Sequence, residues 1–282
     1  MLDAVFSLLG FAQNAIVLPS ESVLEIPSPP QLVGEALTPS VKAESVIVMD
    51  VASGSILYSK NAQEKKPIAS LTKLATALVV RENYALDDVV VVSKNAAAQP
   101  AAKVWLLNGE EIKVENLLKA LLIESGNDAA VALAENMGSE KEFIEAMNAK
   151  MEKLGLKNTH FENPVGYDAA ENYSTAYDIA RLAGYFLRDA VLREIVATNK
   201  TSVYSTDGLI KHELYSTNNL FGSYLTIKGL KTGLTDDAGE CIAALAENEE
   251  NGKQVLAIVL NSPNRMQESK ALLTWALQNF RW

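Results

Sequence analysis

The sequence predicts an α/β (α+β) fold: an antiparallel sheet of about five strands flanked by helices, with an all-α lobe inserted between its two halves. Three observations lead there. Two strand-like runs and a helix open the body of the chain, a block of helical periodicity fills its middle, and three more strand-like runs and a helix close it. The two ends can bury their apolar faces if they join in one layer, which leaves the helical block as an excursion from it.

Ser45–Asp50 (SVIVMD) and Ser55–Lys60 (SILYSK) read as strands, and Ala52-Ser53-Gly54 between them supplies a hairpin turn. From Ser70 to Glu82, Leu71, Leu74, Ala75, Leu78 and Val79 recur at helical spacing. Val114–Glu124, Asp128–Asn136, Lys141–Leu154 and Ala176–Leu187 repeat the pattern, with Gly138 and Gly155 placed to end helices. Leu225–Lys231, Glu240–Glu247 and Gln254–Asn261 are strand-like, and Asn251-Gly252 is a strong hairpin signal between the last two. Gln267–Phe280 closes the chain as an amphipathic helix.

Ahead of the body, residues 1–18 form an apolar segment and residues 19–43 a linker that holds five of the nine prolines. The apolar run lacks a basic start and a clean small-residue cleavage site, and it is short for a membrane span. Two readings stay open, an atypical signal or anchor and a segment that packs on the body. The folded domain is then 44–282, with an α/β part at 44–85 and 221–282 and a helical lobe at about 86–220.

Composition narrows the function classes. The 282 residues carry 25 Lys plus Arg against 35 Asp plus Glu, a net charge of −10, with no local basic patch, which argues against nucleic-acid binding. One cysteine, Cys241, cannot form an intramolecular disulfide, and two distant histidines do not suggest a metal site, so no cofactor or metal is expected. Cys241 reads as a small core residue, and His160 and His212 as structural or exposed.

Three short motifs can carry chemistry. Ser70-Leu71-Thr72-Lys73 puts a hydroxyl and an amine one helical turn apart. A serine needs an adjacent base, and an amine desolvated by an apolar helix can serve. About one S-x-x-K is expected by chance in such a chain. What favours function is a lysine inside an apolar run and a serine at a helix start, where backbone N–H groups can receive an oxyanion. Ser125-Gly126-Asn127 breaks two helical runs; alone the S-x-N pattern is weak, since it also begins at Ser59, Ser93, Ser216 and Ser262. Lys231-Thr232-Gly233 follows a strand-like run and offers a charge, a hydroxyl and a site of close backbone approach. The plain readings are an N-cap serine, a helix stop and a solvated strand end.

In this order the motifs match the signature of penicillin-binding proteins and class A β-lactamases. With their flanks (PIASLTKLATALVV, VENLLKALLIESGNDAAVALAE, FENPVGYD, STAYDIARLA, GLKTGLTDDAGEC, ESKALLTW) the chain resembles the D-alanyl-D-alanine carboxypeptidases, low-molecular-mass penicillin-binding proteins, over about residues 43–280. The resemblance implies a β-lactamase/transpeptidase-like fold with 44–282 as catalytic domain, and a serine hydrolase that removes the terminal D-Ala from peptidoglycan stem peptides. Ser70 is then the nucleophile, Lys73 its base and Ser125 a proton relay. Asn127, Lys231, Thr232 and Gly233 bind substrate, and the backbone N–H groups of Ser70 and Leu234 form the oxyanion hole. β-Lactam antibiotics are expected to acylate Ser70, and the setting is expected outside the cytoplasmic membrane.

The alternatives are an endopeptidase acting on cross-links, a β-lactamase and a non-catalytic wall-binding module. Glu162 lies in a carboxypeptidase-like F-x-N-P-x-G context, which disfavours a β-lactamase. Many members carry a further β-rich domain and a C-terminal anchor helix. This sequence ends at Trp282, so any membrane association is expected at the N-terminus. Leu234 stands where an aromatic or histidine is frequent. Arg265 is within reach of the cleft, although a surface arginine at a helix start is the plainer reading. Asp168 is read as orienting its loop.

Overall fold

The computed structural model describes residues 27–34 and 37–282; the apolar segment 1–18 and the first part of the proline-rich stretch lie outside the described residues. A short strand β1 (Gln31–Leu32) precedes β2 (Ser45–Asp50) and β3 (Ile56–Lys60), and a 3-10 turn at Ala69–Thr72 leads into α1 (Lys73–Asn83). The middle of the chain holds β4 (Val89–Val91), α2 (Lys94–Ala97), β5 (Glu111–Lys113), α3 (Val114–Ile123), α4 (Asn127–Glu135) and α5 (Glu140–Lys153). It continues with α6 (Ala176–Phe186), α7 (Ala190–Val196), β6 (Lys200–Tyr204) and β7 (Lys211–Tyr215). The chain closes with β8 (Thr226–Thr235), β9 (Gly239–Glu247), β10 (Gln254–Ser262), α8 (Arg265–Asn279) and β11 (Phe280–Arg281).

The main sheet has five strands in the order β3-β2-β10-β9-β8, every pair antiparallel. The first and last parts of the chain do meet in one layer. Period-two alternation divides the strands between two cores. Ile47, Met49, Cys241, Ala243, Leu245, Leu256 and Ile258 face the helical side, and Val46, Val48, Ile242, Ala244, Val255 and Ala257 face the other. On that second face α8 lays down Leu272, Leu273, Trp275 and Ala276. Burial of each large side chain there contributes about 1.5–3 kcal/mol. The sheet is covered on both sides, so β10 reads as an unbroken apolar run, VLAIVL, where a half-exposed strand would alternate.

The helical elements α1, α3, α4, α5 and α6 share the first core, in which Leu74, Leu78, Leu118, Leu121, Leu133, Phe143 and Leu182 are buried. Caps set the helix starts: Thr175 accepts from the N–H of Asp178 at 3.0 Å, and Asp189 from Val191 and Leu192 at 2.9 and 3.0 Å. Gly155, just beyond α5, has φ +68°, a left-handed helix end that glycine adopts without strain.

Three features depart from the sequence reading. Two short ribbons, β4–β5 and β6–β7, lie within the middle stretch. Their strands are three and five residues long with mixed polarity, too short to impose a period. Helix α7 is only seven residues long and escapes a window of helical length for the same reason. The proline-rich stretch is not simply a spacer. Its Gln31–Leu32 pairs with Phe280–Arg281, and farther on Lys60 Nζ donates to Val41 O and Ala43 O at 3.1 and 2.7 Å. The N–H groups of Lys42 and Ala43 both donate to the Glu268 carboxylate. These partners lie far along the chain, where no local pattern reveals them. Among the described residues, no helix is long and apolar enough to cross a membrane.

Candidate active site

Ser70 lies in the 3-10 turn that starts α1, directly after Ala69, whose φ is +48°. A left-handed alanine costs about 1–2 kcal/mol, and it turns the chain so that Ser70 is the one partly exposed residue of a buried segment. The apolar stretch expected to bury Lys73 does so: Lys73 is 0% exposed on the first turn of α1. Its Nζ lies 2.9 Å from Ser70 Oγ, 2.7 Å from Asn127 Oδ1 and 2.7 Å from Val165 O. As an ammonium it donates to all three. As a neutral amine it keeps two donations, to Asn127 and Val165, and turns its lone pair to the Ser70 hydroxyl. The geometry therefore fits the general-base form without movement of any residue.

Electrostatics favour that form. The Lys73 amine is held well below the ordinary lysine range, first by burial and second by the positive charge of Lys231, with Asp128 acting in the opposite direction. Lys231 is 1% exposed and is pushed down to about 7, by burial first and then by the charge of Arg265.

Four segments converge here. Ser125 lies in the break between α3 and α4 with φ +68°, buried, and Asn127 begins α4. Asn127 is held on every side. Its Nδ2 donates to Pro100 O at 3.1 Å and Tyr167 Oη at 3.2 Å, while its backbone N–H donates to Ala102 O at 2.7 Å. Both amide hydrogens already have partners, so its contact shown here is with Lys73. The loop at 163–166 is wound around Asn163, whose Oδ1 accepts from Gly166 N and Tyr167 N at 2.7 and 2.9 Å. This loop presents Val165 O to Lys73, and Pro164 O accepts from Thr76 Oγ1 at 2.6 Å.

The fourth segment is β8, the edge strand. Lys231 and Gly233 lie opposite Ala243 and Cys241 and so take the helical face of the sheet. Gly233 packs on the serine turn: a Cβ there would lie 2.9 Å from Ala69 Cβ and 3.0 Å from Ser70 N. Only glycine lets β8 approach this closely, and Leu234, 63% exposed, follows at the rim. Thr232 Oγ1 shares a 2.6 Å hydrogen bond with Thr217 Oγ1, and Lys231 Nζ donates to Thr232 O at 2.9 Å.

Ser70, Lys73, Asn127 and Gly233 are thus joined by direct contacts, Lys231 and Thr232 are held by hydrogen bonds within β8 and to Thr217, and Leu234 stands at the rim. For Ser125 the structure gives burial and a left-handed backbone between Glu124 and Gly126.

Arg265 corrects the plainer reading. Its guanidinium donates to Gly233 O at 2.5 Å, its charge acts on Lys231, and its buried Nε has no partner among the described residues. It starts α8, as expected, and its backbone N–H donates to Glu240 Oε2 at 2.9 Å, which docks the helix start against β9. Asp168 accepts from Thr235 Oγ1 at 2.6 Å and Asp237 N at 3.2 Å, tying its loop to the β8–β9 hairpin. The Glu162 carboxylate accepts from Glu171 N at 2.9 Å, within its own loop. Cys241 is buried and its thiol is pushed up to about 11 by that burial. His212 is buried between Val104 O and Glu110 Oε1, both at 2.9 Å. Sequence reasoning missed Asp128, Val165 O and Thr217. The first adjoins S-x-N, so its position was a usable signal; the other two have none.

A serine–lysine pair at a helix start, set against a K-T-G edge strand on a five-stranded antiparallel sheet, defines the β-lactamase/transpeptidase class of active-site serine proteins. Comparison with known proteins narrows the class. The family model described as D-alanyl-D-alanine carboxypeptidase matches residues 33–264. The chain is 36% identical over 228 residues to D-alanyl-D-alanine carboxypeptidase DacF of Bacillus subtilis, covering 78% of this chain and 58% of that protein. It is 37% identical over 257 residues to DacC of Escherichia coli, covering 86% and 63%. A Streptomyces D-alanyl-D-alanine carboxypeptidase is 31% identical, with 84% of this chain and 88% of that protein covered. The crystal structure of a Streptomyces DD-transpeptidase superposes with TM-score 0.80 at 31% identity, covering 85% of this chain and 98% of that one. The structure of DacD from Francisella tularensis gives 0.78 at 26% identity, covering 89% and 74%. The chain belongs to the D-alanyl-D-alanine carboxypeptidase family. It spans about three fifths of the length of the Bacillus and Escherichia relatives.

Proposed function

We propose that this protein is a serine-type D-Ala-D-Ala carboxypeptidase that trims the terminal D-Ala from peptidoglycan stem peptides and is acylated by β-lactams. The observation that carries the reading is the buried Lys73 amine, 2.9 Å from Ser70 Oγ and depressed in pKa. Family membership supplies the substrate class.

Neutral Lys73 takes the Ser70 proton as Oγ attacks the carbonyl carbon between the two D-Ala residues. The developing oxyanion is received by the N–H groups of Ser70 and Leu234. A first-turn N–H has no partner within its own helix, which suits Ser70 to this role. Lys231 and Thr232 engage the terminal carboxylate, and the charge of Lys231 keeps Lys73 from holding its proton. Ser125 relays the proton to the leaving amine. Collapse breaks the C–N bond, releases D-Ala and leaves an ester on Ser70. Water then adds to the ester carbonyl, gives its proton to Lys73 and restores the serine hydroxyl. Asn127 fixes Lys73 through its Oδ1, at 2.7 Å, and substrate is bound beside it. The reaction places the protein outside the cytoplasmic membrane, where stem peptides are exposed, with the N-terminal segment as signal or anchor.

The test is incubation with a pentapeptide ending in D-Ala-D-Ala, and in parallel with a penicillin and with cross-linked muropeptides, followed by mass analysis of the products and of the protein. Loss of one alanine, a covalent penicillin adduct on the protein, and loss of both in Ser70→Ala are expected. An unchanged peptide and no adduct overturn the reading, and release of uncross-linked muropeptides without free D-Ala redirects it to an endopeptidase.

A further inference from the structure

On the helical side of the sheet, at its β2–β3 end and lined by none of the residues around Ser70, the β2–β3 turn and helices α6 and α7 border a cavity of about 590 Å³. That volume is in the range of small-molecule sites. Its walls combine an apolar floor, Met49 and Leu187, with two tyrosines, Tyr177 and Tyr185, and a cationic rim that includes Arg188 and Arg193. Three observations separate it from an ordinary surface depression.

The first is unpaired charge in a chain of net −10. Neither Arg188 nor Arg193 makes an ion pair among the described residues. The carboxylate between them in sequence, Asp189, is engaged by Arg81 at 2.9 Å and caps α7. The nearby Asp50 carboxylate is held by Ser53 and by Trp282 Nε1. The second is preorganisation. The Arg188 guanidinium lies 4.9 Å from the centre of the Tyr185 ring, and Arg181 is fixed by donating to Leu154 O and Gly155 O at 3.0 Å each. The third is Gly184. It sits inside α6 and lines the cavity, and a Cβ there would meet nothing within 4 Å. Alanine would fit and would favour the helix over glycine. No packing requirement explains the glycine, whereas a ligand lying against the helix backbone does.

We infer that this cavity binds an organic phosphate, its anion held by Arg188 and Arg193 and its polyol or sugar body lying over Gly184 between the two tyrosines. Guanidinium forks match phosphate oxygens in pairs, and tyrosine rings and hydroxyls suit a hydroxylated body. A free polyol phosphate and a glycerophospholipid headgroup share this chemistry.

The test titrates the full chain with sn-glycerol 3-phosphate by calorimetry, with glycerol as the uncharged control. Saturable binding is expected, at least tenfold weaker in Arg188→Gln/Arg193→Gln and in Gly184→Leu, and retained in Lys231→Ala. Gly184→Ala is expected to raise the melting temperature, which shows that the helix tolerates a side chain there. Sedimentation with phosphatidylglycerol vesicles, relieved by sn-glycerol 3-phosphate, assigns the headgroup as the source; soluble binding without sedimentation assigns a free polyol phosphate. Absence of saturable binding, equal binding of glycerol, full affinity in both cavity variants, or loss in Lys231→Ala overturns the assignment.

Discussion

Gly166 stands against the backbone of the serine turn: a Cβ at this position would lie 2.0 Å from Ala69 O and 2.9 Å from Ser70 N. Its φ of +91° is a second bar to any side chain. Gly166→Ala must therefore push the 163–166 loop off the turn, and Val165 O leaves Lys73 with it. Expected are a stability loss of about 2–4 kcal/mol in thermal or urea unfolding and a fall in penicillin acylation of at least tenfold. Gly155→Ala, also at positive φ but with only Arg181 nearby at 3.9 Å, is the control and should lose stability while keeping acylation. Unimpaired acylation in Gly166→Ala would show that the loop does not position the base.

Burying Lys231, the group proposed to engage the substrate carboxylate, costs the fold stability. Unfolded, it keeps its proton up to the ordinary 10.5; folded, it gives the proton up at about 7. Between those values the unfolded chain binds more protons, so stability contributed at this site rises with pH. Lys231→Met is expected to raise stability by about 1–2 kcal/mol near neutrality, with the gain shrinking as pH climbs toward 10, and to remove turnover. In the parent, kcat/KM should fall on the alkaline side with a midpoint near 7, as free Lys231 loses its charge. Lys231→Arg should carry that limb beyond pH 9, since arginine stays charged. A limb that does not move in Lys231→Arg assigns it to another group.

Most of this architecture was legible because period carries burial. The alternation in Val46–Val48 and Ile242–Leu245 and the helical steps of Leu71, Leu74 and Leu78 are imposed by the faces they bury. The site residues were legible for different reasons: Lys73 is an amine inside an apolar run and violates the pattern around it, Ser70 stands at a helix start one turn before it, and Lys231 opens a K-T-G motif after a strand-like run. What stayed hidden depends on chain reversal. Val165 O is a backbone atom with no residue signature, and Thr217 meets Thr232 only because the chain after β7 returns to the edge strand. Arg265 was misjudged because its local context, a polar helix start, carries no sign that the first turn of α8 abuts Gly233 O.

His212 ties the loop before β5 to the β6–β7 ribbon. Its two ring nitrogens meet Val104 O and Glu110 Oε1, an arrangement that two donors satisfy, and the Glu110 hydrogen bond raises its pKa above the usual 6.5. A raised folded pKa contributes stability that is fully present below about 6.5 and is lost as pH rises through the folded value. His212→Phe is accordingly expected to lose about 1–3 kcal/mol at pH 6, with a smaller deficit at pH 9, read from melting temperatures across that range. A deficit that is constant with pH would mean that His212 acts by packing alone.

Asp128 links the fold of the rim to the state of the base. Fully buried, its carboxylate accepts from the N–H groups of Val104, Leu106 and Ala129 at 3.0, 3.1 and 2.9 Å, which holds the turn carrying Trp105 over the start of α4. Its charge is also the one influence that raises the Lys73 pKa against burial and Lys231. Asp128→Asn removes that charge with little change in shape. An amide must point an N–H at one of the backbone donors, so a stability loss of about 1–3 kcal/mol is expected. The Lys73 pKa should fall further, moving the acidic limb of the penicillin acylation rate to lower pH. The variant would then be less stable yet lose proportionally less of its rate on acidification. The profile of acylation rate against pH separates this from simple damage: a loosened site scales the whole curve down, whereas loss of the Asp128 charge slides its acidic limb. An acidic limb that stays in place, or moves to higher pH, would exclude Asp128 as the group that keeps Lys73 from being depressed further.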